Sequence, residues 1–151
     1  MIPESVNISG ADILSLVPQR PPMVMVDEFG GIAPDGRSWT ALTVREDNVF
    51  FAGGSLAAPG IVEHIAQSAA ARAGFLHMRE NRPVPEGFIA SVEKMKFSLN
   101  LPKAGDRLET SVEVLADIFN MSLVHAVCRN GSETVAEGNM KIYLNEEAQE
   151  K

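Results

Sequence analysis

The spacing of apolar residues along this chain changes once, near residue 87. Before that point, residues 61–80 carry apolar side chains every three or four positions, which is the period of an amphipathic helix. The apolar stripe of this segment consists of Val62, Ile65, Ala66, Ala69, Ala73 and Leu76. From Gly87 onward, apolar and polar residues alternate, which is typical of strands with one buried face. The pattern therefore predicts one long helix followed by β-strands.

The alternating region divides into four predicted strands. They cover residues 88–99, 108–119, 122–129 and 134–144. Asn130-Gly131, between the last two, is a strong hairpin signal because both residues tolerate the left-handed backbone of a tight turn. The four strands are therefore expected to be antiparallel.

Before the long helix, the chain predicts smaller elements. A short helix precedes Pro18, which ends it because proline cannot continue a helical ladder. Residues 23–26 and 39–44 are predicted strands, with turns at Gly30-Gly31 and at residues 34–36. One long helix against an antiparallel sheet of five or six strands buries this pattern economically. The predicted class is α+β.

Composition limits the kind of protein. At 151 residues, the chain is expected to form one domain over residues 1–146, followed by a short acidic tail over residues 147–151. A net charge of −7 argues against a nucleic-acid partner. No apolar run approaches the roughly 20 residues that cross a bilayer, so no membrane partner is expected. A lone cysteine, Cys128, is expected to be a small core residue and fits a reducing cytoplasm. Three histidines without ligand spacing predict no metal, and no cofactor is expected.

The segment with the most chemical information is residues 50–67, FFAGGSLAAPGIVEHIAQ. Two aromatic residues lead into Gly53-Gly54, and Pro59-Gly60 opens the helix. Glu63 follows within the first turn. A carboxylate beside the N–H groups of a helix start could polarise a carbonyl and move a proton. The alternative is an exposed glutamate that only benefits from the helix dipole.

Other candidates in the chain carry weaker signals. His64 could act as a base, but it shares a helical row with Ser68 and Arg72, so an exposed or dimer-contacting position is expected instead. His77 lies near the helix end, where a cation suits the dipole, and His125 could face either side of its strand. Ser55 lacks the surroundings of a serine nucleophile, and Gly53-Gly54 lacks the lysine of a phosphate loop.

Three segments in series resemble the β-hydroxyacyl-acyl carrier protein dehydratases of type II fatty acid synthesis. Residues 16–27, LVPQRPPMVMVD, are similar to the family's opening run of leucine, proline, histidine and arginine before an apolar strand that ends in aspartate. Residues 63–67, EHIAQ, match its glutamate-x-x-alanine-glutamine. Residues 88–97, FIASVEKMKF, followed by Pro102 and Gly105-Asp106, resemble its strand of alternating apolar and basic residues. This resemblance implies the hot-dog fold, in which a sheet wraps around one long helix.

The resemblance also implies an active site, with one departure. The family uses a loop histidine as base at the substrate α-carbon and the helix carboxylate as acid toward the β-hydroxyl. Glu63 matches the carboxylate, but Gly54 stands in the place of the loop histidine, and Gln19 in that of the opening histidine. The chain is most similar to divergent members beside polyketide and aryl-polyene type pathways, in which a related subunit could supply the base.

Two hypotheses follow from the resemblance. One is a dehydratase of 3-hydroxyacyl groups carried on acyl carrier protein or coenzyme A. The other is a non-catalytic acyl-binding subunit or one half of a heterodimer; a thioesterase is a weaker third. The expected catalytic residues are Glu63 and His64, and the expected substrate-binding residues are Phe51, Gly53, Gly54, Gly60 and Gln67. A homodimer or a heterodimer with a related hot-dog subunit is expected, because pairing edge strands removes an exposed edge.

Overall fold

The computed structural model describes residues 6–145, so the predicted tail and the domain boundary at residue 146 lie outside the described residues. A 22-residue helix, α1 (Ala58–Arg79), packs against an antiparallel sheet of seven strands. The strands of this sheet are β1 (Ile8–Ser9), β2 (Glu28–Ile32), β3 (Ser38–Thr43), β6 (Glu86–Phe97), β7 (Arg107–Ile118), β8 (Met121–Asn130) and β9 (Glu133–Asn145). A separate small hairpin consists of β4 (Phe51–Ala52) and β5 (Ser55–Leu56), and Gly10–Ser15 form a 3₁₀ helix.

The strands lie in the order β1-β2-β3-β7-β8-β9-β6. The four long strands predicted after the helix are all present, and each boundary lies within two residues of its predicted position. Gly131, with φ +63°, supplies the left-handed turn between β8 and β9. The long helix and the antiparallel sheet are therefore confirmed. The sheet has one or two more strands than predicted, β1 being only two residues long.

The predicted strand over residues 23–26 is wrong, although Met25 and Val26 are buried as a strand facing the core would be. This segment forms no strand and has no ladder partner. Side chains of α1 replace the ladder: Gln67 Oε1 accepts from the Met25 N–H, Gln67 Nε2 donates to the Met23 carbonyl, and His64 bonds the Met25 carbonyl. The real strand, β2, begins five residues later and contains Gly30-Gly31, the predicted turn. Gly31, with φ +90°, lies where the β2–β3 register shifts.

The buried face of α1 also differs from the prediction. His64 and Ser68, expected on an exposed or dimer-contacting polar stripe, are fully buried against β3 and β7. Thr40 donates a hydrogen bond to Ser68 over 2.6 Å, and Ser68 donates to the His64 carbonyl over 2.7 Å. Burial of these groups is tolerated because each has found a partner. The predicted apolar stripe still packs on the sheet, but apart from Ile65 its members are only half-buried.

The closest packing of α1 against the N-terminal segment occurs at Gly74. A Cβ atom built there would lie 1.9 Å from the Leu16 carbonyl oxygen, which is impossible without backbone movement. Replacing an ordinary glycine inside a helix by alanine stabilises the helix by up to about 1 kcal/mol. This site needs glycine for the approach of another backbone.

Gly74→Ala is therefore expected to lower the free energy of unfolding by about 1–3 kcal/mol, the usual cost of overpacking. Urea denaturation of both proteins measures it. Gly30→Ala is the control, because its Cβ would meet Trp39 at an ordinary 3.5 Å. A Gly74→Ala variant as stable as the parent protein would show that the Leu16 segment yields freely.

Candidate active site

Gln67 is the polar centre of the site. It is fully buried, and both ends of its amide are in use. Besides its bonds to Met23 and Met25, its Nε2 donates to Glu63 Oε1 over 2.8 Å. Glu63 and Gln67 lie four residues apart, so the helical repeat places them side by side. The amide therefore fixes the carboxylate of Glu63 relative to the segment before β2.

Glu63 is half-buried and lines a cavity of 240 Å³. Ala66 and Ala70 form the helix wall of this cavity, and Phe88 and Ile89 at the start of β6 form the opposite wall. The small alanines leave room beside the carboxylate. Glu63 is therefore half-buried beside small residues and is not the exposed glutamate that the sequence left as the alternative.

His64 lies about 100° around the helix from Glu63, and both of its ring nitrogens are hydrogen-bonded. Nδ1 is 2.7 Å from the Met25 carbonyl oxygen, and Nε2 is 2.8 Å from Thr110 Oγ1. A carbonyl can only accept, so Nδ1 carries the proton and Nε2 accepts from the threonine hydroxyl. Burial lowers the pKa of His64, although the hydrogen bond to Met25 and the charge of Asp27 act in the opposite direction. The lowered pKa favours the neutral ring. His64 ties the helix to β7.

Thr110 also contacts the lone cysteine. Burial raises the pKa of the Cys128 thiol to about 11, and a hydrogen bond with Thr110 lowers it in part. A thiol held protonated in this way is a poor nucleophile. The prediction that Cys128 is a core residue is confirmed by its full burial.

The predicted substrate-binding residues do not line the Glu63 cavity, although Gln67 is hydrogen-bonded to Glu63. Gly53 and Gly54 form the exposed tip of the β4–β5 hairpin, where their positive φ angles suit a tight turn. The Gly60 N–H already donates to the Ala57 carbonyl over 2.9 Å, and this glycine is required because a Cβ would lie 2.5 Å from Phe50 Cβ. Phe51 packs on the main core.

Of the residues that line the cavity, sequence reasoning assigned only Glu63 to the site, and it missed Gln19, Phe88 and Ile89 among others. Gln19 Oε1 is buried and has no hydrogen-bond partner among residues 6–145. The available signal was its position in the motif, where the resembling family has a histidine. Phe88 and Ile89 could not be assigned from the chain, because the pairing of β6 with β9 brings them to the helix.

The two other histidines lie away from Glu63. His77 Nδ1 bonds the Ala73 carbonyl near the end of α1, and His125 on β8 bonds Asn139 and Glu137. Across the described residues, no three histidine, cysteine or acidic side chains are grouped to hold a metal ion. No helix in that part of the chain has the length and hydropathy to span a membrane.

A family model described as ApeP-like, ApeP dehydratase, matches residues 11–151. No curated protein matches the sequence significantly.

Solved structures share the fold. A dehydratase heterocomplex, ApeI:P from Xenorhabdus doucetiae, has a chain with a TM-score of 0.82 and 14% identity, covering 91% of this chain and 93% of that one. The uncharacterized protein PH1136 from Pyrococcus horikoshii has a TM-score of 0.62 and 18% identity, covering 87% of this chain and 92% of that one. Cj0977, a sigma28-regulated virulence protein from Campylobacter jejuni, has a TM-score of 0.62 and 17% identity, covering 88% of this chain and 86% of that one. The predicted hot-dog fold is confirmed.

The buried His64 makes stability depend on pH. Its pKa is lower in the folded protein than the value of about 6.5 in an unfolded chain. Above pH 6.5 the ring is neutral in both states. As the pH falls below 6.5, His64 becomes protonated in the unfolded chain but stays neutral in the folded protein. The free energy of unfolding therefore falls by up to about 1.4 kcal/mol per pH unit.

Urea denaturation at pH 7.5 and 5.5 tests this expectation. His64→Gln should reduce the loss of stability between the two pH values, whatever its own stability at pH 7.5. His125→Gln, which removes a partly exposed histidine on β8, should leave most of that loss in place. An unchanged loss in His64→Gln would show that His64 takes up its proton equally in both states.

Proposed function

The chain belongs to the ApeP-like dehydratase family, and on that basis we propose that it is the carboxylate-bearing subunit of a 3-hydroxyacyl dehydratase. A related hot-dog subunit would supply the histidine base. The observation that carries this proposal is the Glu63 cavity, which holds a positioned carboxylate but no histidine. The match to a chain of a complex described as a dehydratase heterocomplex supports it.

In this proposal, Glu63 is the acid of an elimination. The partner's base removes a proton from the substrate α-carbon, the α,β double bond forms, and the β-hydroxyl leaves as water after accepting a proton from Glu63. Gln67 is a positioning residue, because its Nε2 holds Glu63 Oε1 at 2.8 Å. The unpartnered Gln19 Oε1 in the same cavity could accept a hydrogen bond from the substrate hydroxyl.

His64 does not serve as the base in this proposal. Both of its ring nitrogens are hydrogen-bonded, and it does not line the Glu63 cavity. Its role here is to hold the segment before β2 against the helix. This placement weakens the hypothesis that His64 replaces the loop histidine and favours a base from another chain.

The remaining features of the proposal are the carrier and the compartment. The acyl group would arrive as a thioester on acyl carrier protein or coenzyme A, in a fatty acid or polyketide-type pathway. The single buried cysteine suits a cytoplasmic protein, where thiols stay reduced.

The isolated chain is expected to have little or no activity on 3-hydroxyacyl thioesters, because a general base typically contributes about 10²–10⁴-fold in rate. Mixing it with a related hot-dog subunit that has the loop histidine should restore enoyl formation, measured by mass spectrometry. Strong activity of the isolated chain that survives replacement of His64, His77 and His125 in turn would contradict the proposal.

Within the active mixture, Glu63→Gln should lower the rate by about 10²-fold or more, because the amide cannot donate the acid proton. Its similar size preserves packing, so stability is expected to be unchanged or higher. Glu80→Gln, at the exposed end of α1, is the matched control and should retain full activity. Unaltered turnover in Glu63→Gln would remove this carboxylate from the mechanism.

Association with the partner is proposed to use the free edge of β6. This 12-residue strand pairs with β9 on one side and ends the sheet on the other. Phe88 is 52% exposed and Val92 is 41% exposed along it. A long edge with apolar side chains is a template for another strand.

Val92→Lys is expected to weaken association about tenfold or more, because burying an unpaired ammonium is costly. Light scattering after gel filtration measures the assembly, with and without the related subunit. Leu115→Lys is the control, since Leu115 is 49% exposed on β7, which is an interior strand. Equal effects of the two variants would place the interface elsewhere.

A further inference from the structure

A second cavity, of 270 Å³, lies between the C-terminal half of α1 and strands β7 to β9. Its walls combine apolar side chains, among them Ala69, Leu76 and Val124, with polar ones, among them His77, Asp117 and Asn120. It is separate from the Glu63 cavity, although Ile142 contributes to both. Nothing in the proposed elimination uses it.

Arg72 is the cation of this cavity. Its Nε–H is buried and has no hydrogen-bond partner in the described part of the chain. Asp117 attracts it, but no ion pair within 4 Å joins these two residues, and the Asp117 carboxylate already accepts a hydrogen bond from Ser122. Burial also lowers the pKa of the guanidinium. A partly dehydrated cation without a hydrogen-bonded partner is unfavourable.

We propose that this cavity binds the carboxylate of a small apolar organic acid, with Arg72 as the partner of the anion. A guanidinium matches a carboxylate in charge and in its two-pronged geometry. The alanines, valines and leucines of the walls suit the hydrocarbon part. The volume of 270 Å³ is near the lower end of ligand pockets, about 300–1,000 Å³, so a short aliphatic or aromatic acid fits better than a nucleotide.

A carboxylate on an apolar chain could come from two sources. One is a free acid. The other is the far end of an acyl chain whose thioester lies at Glu63; nine helical residues separate Glu63 from Arg72, or about 13 Å along the axis. Only the second source depends on the proposed function.

Calorimetric titration of the isolated chain separates these sources. The ligands are octanoate, the mono-pantetheine thioester of octanedioic acid, and methyl octanoate, which has no charge. Octanoate or the thioester, or both, should bind, and the ester should bind about tenfold more weakly or worse. Octanoate binding assigns the free acid, whereas binding of the thioester alone assigns the far end of an acyl chain.

Variants then test the residues. Arg72→Gln should weaken binding of the carboxylate ligand about tenfold or more, and Asp117→Asn should strengthen it, because a neighbouring negative charge is removed. Arg79→Gln, which changes an arginine stacked on Phe75 outside the cavity, is the control. Arg72→Lys keeps the charge and should retain part of the affinity for the carboxylate ligand. It replaces Arg72→Gln in the test if the glutamine variant unfolds. Glu63→Gln should leave octanoate binding unchanged, which keeps this test independent of dehydration.

Three results would overturn the proposal. They are no binding of either carboxylate, equal binding of octanoate and its methyl ester, and carboxylate binding that is the same in folded Arg72→Gln and the parent protein. Loss of affinity in Asp117→Asn would likewise mean that Arg72 and Asp117 act as a structural pair.

Discussion

The side-chain amide of Gln67 is the interaction on which the site depends. Residues 23–25 run past the helix without a strand partner, Met25 among them is fully buried, and a buried backbone group without a hydrogen bond costs about 1–3 kcal/mol. Gln67 bonds two of these groups and Glu63 as well. One residue thus completes the backbone of the segment and orients the carboxylate. A shorter or apolar side chain at this position would leave both without support.

His64 extends the same solution to the sheet. Through Met25 it holds the segment before β2, and through Thr110 it holds β7. The cost of burying an imidazole is offset because both nitrogens are bonded and the ring stays neutral. This use has a functional consequence, since a histidine engaged at both nitrogens is not available as a base. Among the described residues no histidine lines the Glu63 cavity, and this is why we propose that a second subunit supplies the base.

The helix is lined with small residues where it meets its surroundings. Gly60 admits Phe50, Gly74 admits the Leu16 backbone, and the alanines between them leave the two cavities open. Close packing on one side and space on the other therefore come from the same kind of residue. Whether a small residue is closely packed or borders a cavity depends on the chain segment that the fold places opposite it.

The sequence by itself determined the long helix, the four long strands and the hairpin at Asn130-Gly131, because these depend on the local period of apolar residues and on turn chemistry. It also determined Glu63 as the candidate acid. Only the tertiary structure decided the environments of His64, residues 23–26 and Arg72. The local pattern of polar residues assigns His64 to the surface, because it contains no information on hydrogen-bond partners that lie 39 and 46 residues away in the chain. The fold supplied those partners to His64, whereas residues 6–145 supply none to Arg72 Nε, and that difference separates a structural polar residue from a candidate binding residue.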